Sequence, residues 1–150
     1  MRLRFVILFA DDDENDRLLM RRALKRAGVS VEARDVHDGE EVIRYLQAEG
    51  PYADREKFPF PDLLVLDLKM PRVNGLEVLE WLQQHPECRT LPVVMVSGSG
   101  LDEDVVEAHR RGVRAYFVKP GDFDKLQSLV LTIAEHWAQA KSPALPEKGK

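Results

Sequence analysis

Carboxylates dominate the side chains able to do chemistry in this chain. Asp11, Asp12 and Asp13 stand side by side after the apolar run "FVILFA", and Asp67 closes a second run within "DLLVLDL". Ser97 ends a third run, "LPVVMVS", while Lys119 follows a fourth, "RAYFV", and precedes Pro120. If the first two runs are neighbouring strands, three carboxylates meet in one place. Like charges that close raise one another's pKa unless a cation compensates them. A hard divalent ion with oxygen ligands answers that need. Mg2+ fits best, because it accepts one or two carboxylates, keeps several waters and leaves a place for a phosphate oxygen. A lysine at the same mouth could hold a carboxylate or bind an oxygen of an incoming phosphoryl group.

Each of these residues also has a plainer reading. Asp13 suits a helix N-cap, and Glu14 and Asp16 suit the positive end of a helix. Capping accounts for Asp13 and Asp16 but does not require three aspartates in a row. A serine at a strand end, taken alone, is usually a cap or loop hydroxyl. The segment "SGSG" lacks the Gly-Lys-Ser/Thr ending of a phosphate-cradling P-loop, and no G-x-G-x-x-G is present. Lys119 alone would be a solvated lysine, although Lys-Pro raises a cis peptide that would aim the side chain inward. What sets these residues apart is their shared position, each just past the end of an apolar run.

That position implies an architecture. Phe5 to Ala10 reads as a strand buried on both faces. Leu19, Met20, Ala23, Leu24 and Ala27 recur at helical spacing, and Gly28 supplies a stop. Val29 to Val36 is a weaker strand, and Gly39 to Gly50 a helix with Val42, Ile43 and Leu46 on one face. The segment "GPYADREKFPFP" reads as a loop. Helices over Gly75–Gln84 and Leu101–Arg111 alternate with the remaining strands, and a last helix is marked by Phe123, Leu126, Val130, Ile133 and Trp137. Five strands alternating with five helices predict an α/β fold, a doubly wound parallel sheet covered on both faces. Ligands of such folds gather at the carboxyl ends of the strands, where all the singled-out residues fall.

The chain has 150 residues, 44% of them apolar and 32% charged, as expected of one globular domain able to bury a real core. Its net charge of −4 and the lack of a Lys/Arg block argue against nucleic-acid binding. Arg21, Arg22, Lys25 and Arg26 read as the solvated face of a helix. Cys88 is the single cysteine, so no disulfide framework exists and a reducing cytoplasm is the simplest location. The apolar run after Met1 is too short for a signal peptide or a membrane span. The tail "KSPALPEKGK", 141–150, carries two prolines and little to bury, so a flexible end to a 1–140 domain is expected. The four histidines show no metal-ligand spacing.

From about Arg4 to Ala138, the motifs "VILFADDDENDRLL", "DLLVLDLKMPRVNGLEVL", "VVMVSGSG" and "AYFVKP" occur in an order and spacing that resemble the receiver domain of two-component response regulators. The chain looks most similar to the small stand-alone receivers that serve phytochrome-type histidine kinases, with "HDGEEVIRYLQAEGPYAD…PFPDLLVLDLKMP" resembling their extended connection before the third strand. The resemblance implies a flavodoxin-like receiver fold with Asp67 as phosphoacceptor for a kinase phosphohistidine. It implies Asp11 and Asp12 as the acidic metal pair, with Asp67 and the backbone carbonyl of Lys69 completing the protein ligands of Mg2+. It further implies Ser97 and Lys119 as contacts to the acyl phosphate, and Tyr116 as the aromatic that turns inward on activation. For Tyr116 the plain alternative is a core aromatic on a strand.

As partners, the resemblance implies a sensor histidine kinase of phytochrome type, and it leaves room for a phosphotransfer protein. It also implies a homodimer through the face formed by the fourth helix, fifth strand and fifth helix. No output domain is expected after the last helix, so the protein should act through contacts and catalyse only its own phosphorylation and dephosphorylation. Three positions depart from the family pattern. Glu14 stands where many receivers carry proline. Gly98 follows the hydroxyl residue where alanine is common, and Gly121 replaces a bulkier residue after Lys-Pro. The two glycines lead to the expectation of a shorter phosphoryl lifetime. Two other readings compete: a binding module that is never phosphorylated, and an aspartate-nucleophile phosphohydrolase. The second is weakened by lysine at the second position of "DLKMP", and the first by the intact set Asp11, Asp12, Asp67, Ser97 and Lys119.

Overall fold

A computed structural model describes residues 4–28 and 30–141. The expected tail, beyond Lys141, lies outside the described residues, as does Val29. Five strands, β1 (Phe5–Ala10), β2 (Val31–Val36), β3 (Leu63–Leu66), β4 (Val93–Ser97) and β5 (Ala115–Val118), form one parallel sheet in the order β2-β1-β3-β4-β5. Five α-helices connect them: α1 (Glu14–Leu24), α2 (Gly39–Leu46), α3 (Gly75–Gln83), α4 (Asp102–Arg110) and α5 (Phe123–Lys141). The α/β reading of the sequence therefore holds, and the order reverses beside β1, between β1 and β3.

The apolar runs are strands because both of their faces are covered. Along β1, Ile7 and Phe9 point to one side, into a cluster with Met20 of α1 and with Leu126, Val130 and Ile133 of α5. Leu8 and Ala10 point to the other, against Val42 of α2, Val78 and Leu79 of α3 and Ala108 of α4. Strand periodicity of two thus feeds two separate cores, and every residue of β1, β3 and β4 is buried. Truncating a buried side chain here, such as Leu66 to alanine, costs about 2–5 kcal/mol.

Helix ends account for two departures from the sequence reading. The first helix stops at Leu24, short of Gly28, whose N–H is instead taken by Glu135 Oε2 of α5 at 2.9 Å. The second stops at Leu46, where Arg55 donates to the carbonyls of Tyr45 (3.0 Å) and Leu46 (2.7 Å) in the last turn. Residues 50–60 are therefore not a bare loop. A 3-10 turn, Gly50–Tyr52, starts a compact unit in which Tyr45, Tyr52 and Phe58 pack ring against ring. The Tyr45 hydroxyl donates to the Pro59 carbonyl, and Arg34 on β2 donates to the Lys57 carbonyl. Aromatic burial and these bonds tie the segment to α2 and to the edge strand.

Candidate functional site

Strand register does most of the work of assembling the site. Ala10 pairs with Leu66, so the next residues, Asp11 and Asp67, emerge beside each other; the Asp67 N–H donates to the Ala10 carbonyl at 2.9 Å. Ser97 pairs with Val118, and the following Lys119 N–H donates to the Ser97 carbonyl at 2.6 Å. Four strand ends thus bring two carboxylates, a hydroxyl and an ammonium together, and Asp67, Ser97 and Lys119 line a crevice of about 530 Å3 with Asp12 and Lys69. The Lys119–Pro120 bond is trans, contrary to the cis peptide considered from the sequence, and register alone brings the lysine inward.

The three opening aspartates separate by role. Asp13 is the N-cap of α1: its Oδ1 accepts the N–H groups of Asn15 (2.9 Å) and Asp16 (3.2 Å). Asp11 is 1% exposed and its Oδ1 accepts the Asp13 N–H. Arg17 donates to the Asp11 carbonyl at 2.7 Å while pairing with Asp35, which fixes the backbone at that point. Asp12 is exposed. Asp11, Asp12 and Asp67 each offer a carboxylate oxygen, and these oxygens lie within 4.8 Å of one another. Hard anionic oxygens so gathered fit a divalent cation with remaining coordination left for water and a phosphate oxygen.

Lys119 is the local counter-charge. Its Nζ lies 2.9 Å from Asp11 Oδ2, 2.9 Å from Asp16 Oδ2 and 3.4 Å from Asp67 Oδ2. Burial pushes the Asp11 carboxyl up to about 6, outweighing the bonds from Lys119 and the Asp13 N–H. Burial likewise raises Asp67, against the pull of Lys119, the Ser97 hydroxyl and the Lys69 N–H. For Lys119 burial works toward a lower pKa, but the bonds to Asp11 and Asp16 overcome it and hold the ammonium above its usual value. The outcome is a buried carboxylate pair with a permanently charged lysine, short of full neutralisation.

Asp16 is the residue that sequence reasoning misplaced. It reads as a charge for the helix N-terminus, yet its carboxylate is buried and paired with Lys119. Helical side chains lean toward the N-terminus, and the N-terminus of α1 faces the crevice, a direction that was available from the sequence. Asp104 was missed as well, and Ser99, singled out at the strand end within "SGSG", was given no role. The Ser99 hydroxyl donates to Asp104 on α4, and the Ser99 carbonyl accepts from the Tyr116 hydroxyl at 2.8 Å. Tyr116 is half-buried on β5 against the α3–α4 side of the core.

Comparison with known proteins agrees with this geometry. Residues 7–131 match the response regulator receiver domain. Response regulator Rcp1 of Synechocystis sp. is 31% identical over 134 residues, spanning 89% of each chain. The phosphorylated cyanobacterial phytochrome response regulator RcpA superposes with a TM-score of 0.85 at 32% identity, covering 97% of this chain and 100% of that one. The Mn2+-bound form of Rcp1 superposes with a TM-score of 0.81 at 31% identity, over 95% and 99% of the two chains. With the sheet order, the acidic cluster and the lysine already in place, these likenesses establish that the chain belongs to the response regulator receiver family.

Proposed function

We propose that the protein is a single-domain response regulator in which Asp67 accepts a phosphoryl group from the phosphohistidine of a sensor histidine kinase. An Asp67 carboxylate oxygen attacks phosphorus, the P–N bond breaks, and the imidazole leaves as an acyl phosphate forms. The observation that carries the reading is the convergence of Asp67 with Asp11, Asp12 and Lys119 at adjacent strand ends. Phosphoryl transfer to a weak nucleophile depends mainly on alignment and charge neutralisation. Asp11, Asp12 and Asp67, with the Lys69 carbonyl, would hold Mg2+, which supplies positive charge to the transferring group. Lys119 and the Ser97 hydroxyl would bind phosphoryl oxygens, and the Tyr116–Ser99 contact would carry the change outward.

The likeness to Rcp1 and RcpA supports a kinase partner of phytochrome type and a cytoplasmic location, with residues 1–140 as the receiver. A phosphotransfer protein is a second candidate partner. No helix among the described residues is long and apolar enough to cross a membrane. Leu101, Val106, Val118 and Phe123 are each more than half exposed, at 55%, 55%, 53% and 61%, along α4, β5 and the start of α5. That apolar strip supports self-association through this face, which sedimentation of wild type against Phe123→Asp tests.

Intact-mass analysis after incubation with a small phosphodonor and Mg2+ tests the central claim. One phosphate adduct is expected on wild type and none on Asp67→Asn. A wild type that takes no phosphate returns the chain to a binding module, and turnover of unrelated phosphoesters would make it a hydrolase.

A further inference from the structure

Lys119 is shared among three carboxylates, and one of them has no other task. Asp11 and Asp67 belong to the oxygen cluster able to hold a cation. Asp67 is also the phosphoacceptor of the function proposed above, on which this inference rests. Asp16 stands outside that cluster, is 7% exposed, and places Oδ2 2.9 Å from Lys119 Nζ. It projects from the first turn of α1, which the Asp13 cap fixes, so its position is set by a rigid element.

In the structure the lysine occupies an oxygen of Asp11 and approaches Asp67. A cation on those carboxylates, and a phosphoryl group on Asp67, compete with the ammonium for their oxygens. Withdrawing a partly buried ammonium from two buried anions with nothing in exchange is costly. We infer that Asp16 is a positioning residue for Lys119, the anion that retains the ammonium while Asp11 and Asp67 are surrendered, and from which it reaches the phosphoryl oxygens. The lysine backbone is pinned to the Ser97 carbonyl, so the exchange is a swing of the side chain alone.

The test is a calorimetric titration of the full chain with Mg2+ alone, as a double-mutant cycle of Asp16→Asn and Lys119→Met. Asp16→Asn is expected to weaken Mg2+ binding about fivefold in the wild-type background, and less than about twofold when Lys119 is already methionine. Equal weakening in both backgrounds would show that Asp16 acts only through its own field, and no weakening in wild type would remove its role; either result overturns the inference. Glu14→Gln, which neutralises an exposed carboxylate of the same helical turn, should leave binding unchanged. A loss as large as that of Asp16→Asn would assign the effect to the helix end instead.

Asp16→Glu restores an anion and should recover most of the affinity; no recovery also overturns the inference, and thermal melting reports whether each variant folds. At saturating Mg2+, phosphorylation of Asp16→Asn by a small phosphodonor should slow about tenfold. If wild type itself takes no phosphate, the function proposed for Asp67 fails, while the Mg2+ titration still decides the part played by Asp16.

Discussion

Tyr116 donates its hydroxyl to the carbonyl of Ser99 at 2.8 Å, joining β5 to the segment that follows Ser97. Ser97 also accepts the Ser99 N–H at 3.2 Å, so a pull on the Ser97 hydroxyl is transmitted to the residue that holds the tyrosine. Removing the phenol oxygen should cost about 1 kcal/mol, the worth of one half-buried hydrogen bond. Tyr116→Phe is expected to lower the urea midpoint slightly and to shrink the change in near-ultraviolet signal on phosphorylation. An unaltered phosphorylation response would disconnect Tyr116 from the switch.

The acidic site should make metal binding depend on pH in a defined direction. Burial raises Asp11 from 3.8 to about 6 and raises Asp67 as well. Between the two Asp11 values the folded metal-free chain binds more protons than the unfolded chain, so stability falls as pH rises through that window and levels off above it. The Asp11 contribution is on the order of 3 kcal/mol. Lys119 is raised too, but from a higher ordinary value, so its contribution is fully present at neutral pH and is lost only at alkaline pH. Mg2+ requires the ionised carboxylates, so its dissociation constant should rise about tenfold per pH unit below pH ~6. Calorimetry at pH 5 and 7 checks this, and equal constants would contradict it.

Gly75 opens α3 directly against the backbone of Asp67. A Cβ there would lie 2.4 Å from the Asp67 carbonyl oxygen and 2.9 Å from Leu68 Cα, both backbone atoms that cannot turn aside. Gly75→Ala should cost about 1–3 kcal/mol in urea denaturation. It should also slow phosphorylation by displacing the end of β3.

Gly98 and Gly121 differ from Gly75 in having nothing within 4 Å of a built Cβ, and neither holds a positive φ. Gly98→Ala and Gly121→Val therefore restrict the loops without a clash, and loss of unfolded-state freedom should stabilise by about 0.4–1 kcal/mol for the alanine. Phosphoryl half-life, followed by intact mass after removal of the donor, is expected to lengthen in both. No lengthening would separate these glycines from the lifetime.

The site was legible because strand ends are legible: an apolar run that stops abruptly names the residue that enters the crevice. Asp11, Asp67, Ser97 and Lys119 all follow from that rule, and the register places them together. Asp16 did not follow, since a carboxylate in a first helical turn satisfies the helix whether or not it also finds a lysine. The 50–60 segment was unread for a different reason. Its order comes from Arg55 bonding the last carbonyls of α2 and from the rings of Tyr45, Tyr52 and Phe58 meeting across the loop, neither of which leaves a period in the sequence. Neither helix runs to the nearest glycine: α2 ends with Arg55 on its last carbonyls, and α1 ends at Leu24 in local turns from the Arg26 and Ala27 N–H groups.

The tether from Arg34 to the Lys57 carbonyl has a consequence for assembly. A parallel five-stranded sheet has two margins, β2 and β5, and either could recruit a neighbour. At the β2 margin no residue is fully exposed and the 50–60 segment is fastened beside it, whereas Val118 on β5 lies open next to Phe123. The molecule is thereby lopsided, with one margin closed and one sociable. The self-association proposed through the β5 margin would then end in pairs rather than fibres.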